Sequence, residues 1–245
     1  MNRFFIPSSS ISANQIEFDG PTAHQIRDVL RLVVGSEVIV LDDSGWQYAV
    51  QLTRVERGAA TGKVVSKKLA VGEPKTKIVL YQAVLKGAKF EWVLQKGTEL
   101  GIVAFVPVIT QRSIPATEGE SGRHARWQRI IQEAAEQSHS ARLPRLHQPM
   151  PLAKTITHLS GLTLVPWEGE SVLGLKDQLQ HEANPTAFSI NLFIGPEGGF
   201  GADEIASLVA AKAQTVTLGP RILRAETAGL VAASAILFHY GDLGG

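Results

Sequence analysis

The sequence predicts an α/β fold, a parallel-sheet domain preceded by a small β-rich one. Three observations carry the prediction. After Pro74, short apolar runs alternate with amphipathic helical stretches, the pattern of strands buried on both faces by crossover helices. Before Val71, shorter runs alternate in polarity and are separated by turn residues. Two glycine-bearing segments, at 195–201 and 219–224, each follow a strand-like run and precede a helix-like one.

Within residues 1–72, Glu37–Leu41 (EVIVL) reads as a strand, 42–45 (DDSG) as a turn, and 48–55 and 63–65 as further strands. One helix interrupts them: Pro21 suits a first helical turn, and Ile26, Val29 and Leu30 share a face. The stretch 71–74 (VGEP) reads as a linker, which sets the expected domains at 1–72 and 73–245. In the second, 78–84, 105–109, 162–165, Ser189–Ile194 and 215–218 are predicted strands. Lys89–Leu100 is a predicted helix with Phe90, Val93 and Leu94 on one side. The helix predicted over 123–138 places Trp127, Ile130, Ile131 and Ala134 at i, i+3, i+4 and i+7, so Trp127 is expected in the core rather than stacked on a base. The last helix is apolar almost all round (Leu230, Val231, Ala232, Ile236, Leu237, Phe238), which places it in a core or an interface.

Composition narrows the chemistry. Of 245 residues 44% are hydrophobic and 19% charged, which supports a sizeable core and argues against disorder. There is no cysteine. That excludes disulfides, thiolate metal sites, a cysteine nucleophile and a cysteine-held iron–sulfur cluster. Pyrimidine carbons are thus out of reach as methylation targets by cysteine adduct or cluster radical chemistry, and nitrogen and oxygen remain. Pro7 ends the short run Phe4 to Ile6, unlike a signal peptide, and the apolar stretch 228–238 is too short for a bilayer. A soluble cytoplasmic protein without a membrane partner is expected. The seven histidines lack metal-ligand spacing, the nearest pair being His139 and His147, and no metal is expected. Ser138 and Thr227 lie outside any G-x-S-x-G context. Net charge is +1, but it is uneven: 8 basic and 7 acidic residues in 1–72, 11 and 7 in 73–150, 5 and 9 in 151–245. The basic middle is where a polyanion would dock.

The run Ile194-Gly195-Pro196-Glu197-Gly198-Gly199-Phe200-Gly201 lets backbone approach a ligand and present its N–H groups. It lacks both G-x-G-x-x-G and a following Gly-Lys-Ser/Thr, and Glu197 puts a negative charge where a phosphate binder avoids one. A neutral or cationic ligand fits better. The second loop, Leu218-Gly219-Pro220-Arg221-Ile222-Leu223-Arg224, leads through Ala225-Glu226-Thr227-Ala228-Gly229 into the last helix.

IGPEGGFGADE at 194–204, LGPRILRAETAGL at 218–230 and KFEWVLQKGTELG at 89–101 resemble the RsmE family of RNA methyltransferases, of the SPOUT superfamily. So do Arg112-Ser113, Glu133 to Ser138 with Arg142 and Pro144, Arg3-Phe4-Phe5, and His24 with Asp28 to Arg31. The resemblance spans essentially the whole chain. It implies a C-terminal SPOUT-type α/β methyltransferase domain tied in a trefoil knot, and a small N-terminal PUA-like RNA-binding β-barrel. General rules alone argue against a knot. It further implies a homodimer that uses S-adenosylmethionine to methylate N3 of one uridine in 16S rRNA of the small ribosomal subunit. The donor pocket it implies comprises Glu168, Gly195, Pro196, Glu197, Gly198, Gly199, Leu218, Gly219, Ile222, Leu223, Arg224, Thr227 and Ala228, with Glu170 an alternative to Glu168.

Uridine N3 is protonated at neutral pH, so the enzyme must remove that proton or stabilise the anion. Arg224 or Lys96, with Arg112 a third candidate, is expected to supply the cation. RNA is expected along Arg27, Arg31, Arg123, Arg126, Arg129 and Arg142, with Arg112, Arg145 and Lys67 extending the track. Three other readings remain at this point: a SPOUT ribose 2′-O methyltransferase, a non-catalytic ribosome assembly or RNA-binding factor, and, disfavoured by glycine spacing, a dinucleotide oxidoreductase.

Overall fold

A computed structural model of the protein describes residues 1–113, 120–181 and 189–244. The chain divides into two compact units, Met1–Glu73 with Ala135–Leu143, and Pro74–Ala134 with Pro144–Gly245. The excursion 135–143 into the first unit has no counterpart in the boundary read from the sequence.

The first unit is built on six strands: β1 (Arg3–Phe5), β2 (Ile11–Ser12), β3 (Gln15–Phe18), β4 (Glu37–Leu41), β5 (Trp46–Glu56) and β6 (Ala59–Leu69). Their order is β1-β4-β5-β6-β3-β2, parallel only between β1 and β4. Register shifts at Ala49/Val50 and Leu52/Arg54 bend the long β5–β6 hairpin. Gly62 lets the strands close, because a Cβ there would fall on Val50 Cγ1. The curled sheet surrounds Phe4, Ile16, Phe18, Val38, Val40, Val50 and Leu52. Helix α1 (Gly20–His24) is capped by Asp19, whose Oδ1 accepts from Thr22 N at 2.9 Å. It runs into a wider π-helical turn, Gln25–Val29. The widened turn changes the angular spacing of side chains. Ile26 is fully buried but Val29 is 64% exposed, so the predicted common face of Ile26, Val29 and Leu30 is corrected. Glu73 is tied into this unit by accepting from Ala141 N (2.7 Å) and Arg142 N (3.2 Å).

The second unit holds β7 (Lys77–Ala83), β8 (Ala104–Ile109), β9 (Arg145–Leu146), β10 (Met150–Pro151), β11 (Leu162–Pro166), β12 (Ser189–Ile194) and β13 (Gln214–Val216). All pair in parallel, in the order β10-β8-β7-β12-β11-β13, with β9 on β8. Both faces are covered, as the near-continuous apolar strands require. On one side Ile78, Leu80, Leu192 and Ile194 meet residues of α2 (Lys89–Leu100), α3 (Glu120–Gln137) and α7 (Ala225–His239), including Phe90, Trp127 and Ile236. On the other, Val106, Val165 and Phe193 meet α4 (Leu152–Thr155) and α6 (Ala202–Ala210) through Leu152, Ile205 and Leu208. A further helix, α5 (Leu175–His181), adds Leu175 and Leu179 to the first side. Trp127 is buried as predicted, its ring 4.4 Å from that of Phe90. Among the described residues no helix is long and apolar enough to cross a membrane.

Candidate active site

Parallel pairing sends the segments after β7, β8, β11, β12 and β13 off the same edge of the sheet, where α/β proteins place their ligands. Two of these segments are laced together. Trp167 N donates to Val216 O (3.1 Å), Thr217 N to Leu173 O (2.8 Å), and Leu175 N to Thr217 O (3.0 Å). The turn after β11 is therefore fixed to the chain leaving β13.

The glycine loop after β12 is held from both sides. Gly199 N donates to Pro196 O (2.9 Å), closing a turn that puts Gly199 at φ +67. A Cβ on Gly199 would fall on Glu168 Oε1, so the glycine is what lets the carboxylate lie against the loop. Across the loop, Arg112 Nη1 donates to Gly198 O at 2.5 Å, and its side chain lies over Gly198. Glu204, buried in α6, accepts from Gly201 N and from Gln111 N, both at 2.8 Å. One carboxylate thus pins the loop carrying Arg112 to the glycine loop.

Glu170 is committed elsewhere. It accepts from Val172 N (2.8 Å), Leu173 N (3.2 Å) and Thr215 Oγ1 (2.8 Å), and these bonds, Val172's the largest, hold its carboxyl below the ordinary value. Of the two glutamates left open by the sequence, Glu168 faces the loop.

The segment after β13 is largely open. Gly219 stands at φ +114 with free space where a Cβ would be. Ile222 is 89% exposed, while Leu218, Leu223, Thr227 and Ala228 are half-buried. Arg224 caps α7 by its carbonyl, which accepts from Thr227 N and Ala228 N. Its guanidinium is exposed and has no ion-pair or hydrogen-bond partner among the described residues.

Lys96 lies in a surface pair with Glu99 (2.7 Å), about 10 Å along α2 from the helix start. The lysine that reaches the loops is Lys89, 3.3 Å from Glu197 Oε1 and 3.7 Å from Glu226 Oε2. Partial burial works against the charge of Glu197. Hydrogen bonds from its own N–H, Lys86 N and Lys89 outweigh this and hold its carboxyl below the ordinary value. Lys89 and Glu226 were not singled out in the sequence, although a lysine opening a helix, against the helix dipole, is a legible anomaly.

The arginines expected to meet RNA are distributed over both units. Arg27 is near Asp28 (3.6 Å), and Arg31 is exposed at φ +53. Arg126 pairs with Glu91 (2.7 Å) and Arg129 with Glu133 (3.6 Å), while Arg123 lies over the Trp127 ring. Arg142 is engaged structurally, donating to Ser44 O (3.1 Å) and Asp43 O (3.5 Å).

An α/β unit with glycine-bearing loops at one sheet edge is the class to which a family model for an RNA methyltransferase domain matches, over residues 72–237. The ribosomal RNA small subunit methyltransferase E of Bacillus subtilis (strain 168) is 31% identical, covering 98% of this chain and 97% of its own. That of Synechocystis is 34% identical over 87% of this chain and 69% of its own. A crystal structure of the Neisseria gonorrhoeae protein of the same name, bound to S-adenosyl methionine, superposes with a TM-score of 0.87 at 28% identity, covering 97% of each chain. The chain belongs to the ribosomal RNA small subunit methyltransferase E family, and its fold is the SPOUT-type α/β fold joined to an N-terminal curled sheet.

Proposed function

We propose that this protein is a cytoplasmic, S-adenosylmethionine-dependent methyltransferase acting on N3 of a uridine in 16S rRNA within the small ribosomal subunit. The observation that carries the reading is the convergence of Glu168, the 195–199 turn and the open 217–224 segment at one sheet edge. Family membership and the donor-bound Neisseria relative support the same conclusion.

The residues fit a sulfonium donor. Glu168 offers a carboxylate beside backbone, the glycines of the 195–199 turn let Arg112 and Glu168 pack against its backbone, Gly219 leaves open space, and exposed Ile222 offers an apolar cover. Pro196, Glu197, Leu218, Leu223, Arg224, Thr227 and Ala228 complete the proposed pocket. The bound donor supplies an electrophilic methyl with its own leaving group, so the protein's task is to orient and to charge the acceptor base. Arg112 and Glu204 keep the glycine loop in one conformation. Arg224, unpaired and adjacent, is the cation for the uracil anion; one such donor in a dry site contributes about 3 kcal/mol. Lys96, held by Glu99, and Arg112, bound to Gly198 O, are the weaker of the three candidates read from the sequence. RNA would be held along Arg27, Arg31, Arg123, Arg126 and Arg129. The exposed Val231 and Phe238 of α7 support a second copy of the chain as partner.

The test is transfer of labelled methyl to small subunits that lack the modification, followed by nucleoside analysis. N3-methyluridine is the expected product; a ribose-methylated nucleoside, or no transfer despite donor binding, would refute the reading. Arg224→Ala is expected to slow transfer about 100-fold.

A further inference from the structure

Two oxygens beside the glycine loops are buried without a hydrogen-bond donor among the described residues. One is Glu226 Oε2 in the first turn of α7, the other Gln82 Oε1 at the end of β7 on a fully buried side chain. Glu226 and Gly229 share a face of α7, one turn apart. A Cβ on Gly229 would lie 3.4 Å from Gln82 Oε1, so both oxygens flank that face. The charged groups around Glu226 are Lys89 from α2, 3.7 Å from Oε2, Glu197 from the loop after β12, which shares Lys89 at 3.3 Å, and Arg224 two residues earlier. A buried acceptor that lacks a hydrogen bond is costly and marks a place where a donor arrives with a ligand.

We propose that Glu226 accepts the N3 proton of the target uridine and, with Lys89, reads the imide edge of the base; this rests on the reading of the site as a uridine-N3 methyltransferase. Uracil presents a carbonyl, an N–H and a second carbonyl in a row. Lys89 supplies a donor beside the Glu226 acceptor, and the free Arg224 guanidinium supplies a second donor. Cytosine, with an acceptor at N3, would leave the carboxylate facing a lone pair. Glu197 is the poorer acceptor, because its Oε1 already takes Lys86 N–H and Lys89.

The step balances as follows. The N3 proton passes to the Glu226 carboxylate. The N3 electron pair forms the bond to the methyl carbon, and the carbon–sulfur bond breaks with its pair retained by sulfur. The carboxylic acid gives its proton to solvent once the products leave.

The test compares wild type, Glu226→Gln and Glu226→Ala, with nucleoside analysis of product and calorimetry of donor binding. Glu226→Gln is expected to be slowed about 100-fold or more near neutral pH, with donor affinity within about threefold of wild type. Its rate should then climb about tenfold per pH unit as hydroxide removes the N3 proton. Glu226→Ala should regain activity in added formate. A uniformly slowed or unaffected Glu226→Gln would overturn the assignment. If that variant no longer binds donor, the formate experiment decides: rescue supports the proposal and its absence overturns it. A wild-type product other than N3-methyluridine removes the underlying reading as well; N3-methyluridine from wild type with failed variant predictions removes only Glu226.

Discussion

Removing the Glu204 carboxylate tests how the glycine loop is held. The side chain is 7% exposed and accepts two backbone N–H groups at 2.8 Å, from Gly201 in its own loop and from Gln111 in the loop after β8. Hydrogen bonds to an ionised group contribute about 1.5–3 kcal/mol each. Glu204→Ala forfeits both and should cost the second unit about 3 kcal/mol or more. At about 2–4 °C per kcal/mol for a protein of this size, the transition should fall by about 6–12 °C. Asp203→Ala is the control: the neighbouring side chain is exposed, and losing its charge near the helix start should cost only about 0.3–1 kcal/mol. Donor affinity should fall with Glu204→Ala, since Gln111 and Gly201 lose their common anchor. Scanning calorimetry and donor titration of both variants decide the matter. If Glu204→Ala unfolds within about 1 kcal/mol of Asp203→Ala, the carboxylate does not hold the loops and the reasoning is wrong.

Glu168→Gln should weaken donor binding without a large stability change, whereas Glu170→Gln should do the reverse; titration calorimetry on both separates them. Because hydrogen bonds lower the Glu170 carboxyl in the folded state, its contribution is full above the ordinary 4.5 and lost as pH falls through the lowered native value. The stability gap between wild type and Glu170→Gln, from denaturant titrations, should therefore hold above the ordinary carboxyl value and close as pH falls below it. Gly97→Ala would drive a methyl to 2.7 Å from Phe105 Cε1 and 3.0 Å from Ile102 Cδ1, so α2 should lift from β8 at a cost of about 1–3 kcal/mol in thermal unfolding.

The sheet of the second unit was legible because its strands are apolar on both faces, and because Gly195 to Gly201 and Gly219 interrupt strand–helix units at their C-terminal ends. Trp127 was legible by helical spacing. The phase error at Val29 arose from a widened turn, which leaves no mark in a 3.6-residue pattern. Residues 135–143 join the first unit through the Glu73 carboxylate, the Asp43 side chain and Arg142, polar contacts of long sequence separation that periodicity does not register. The site was legible as loops but not as partners. Glu168 and Glu170 differ in what their carboxylates meet, the Gly199 turn for one and Val172 N, Leu173 N and Thr215 Oγ1 for the other. Glu226 was read as part of a motif, while its relation to Lys89 depends on α2 and α7 meeting in space.

The pairing of β7 with β12 has a kinetic consequence. Lys77 lies opposite Ser189, more than a hundred residues away along the chain, whereas β5 and β6 are joined by a tight hairpin. Closing the long loop is entropically slow, and the hairpin is fast. Refolding should therefore proceed with the antiparallel sheet leading and the catalytic sheet lagging, its apolar centre open in the interval. Pulse-labelled hydrogen exchange would then find Gln51 and Lys63 protected before Leu80 and Leu192, and crowded or warm conditions would lose the enzyme to aggregation through that late-forming centre.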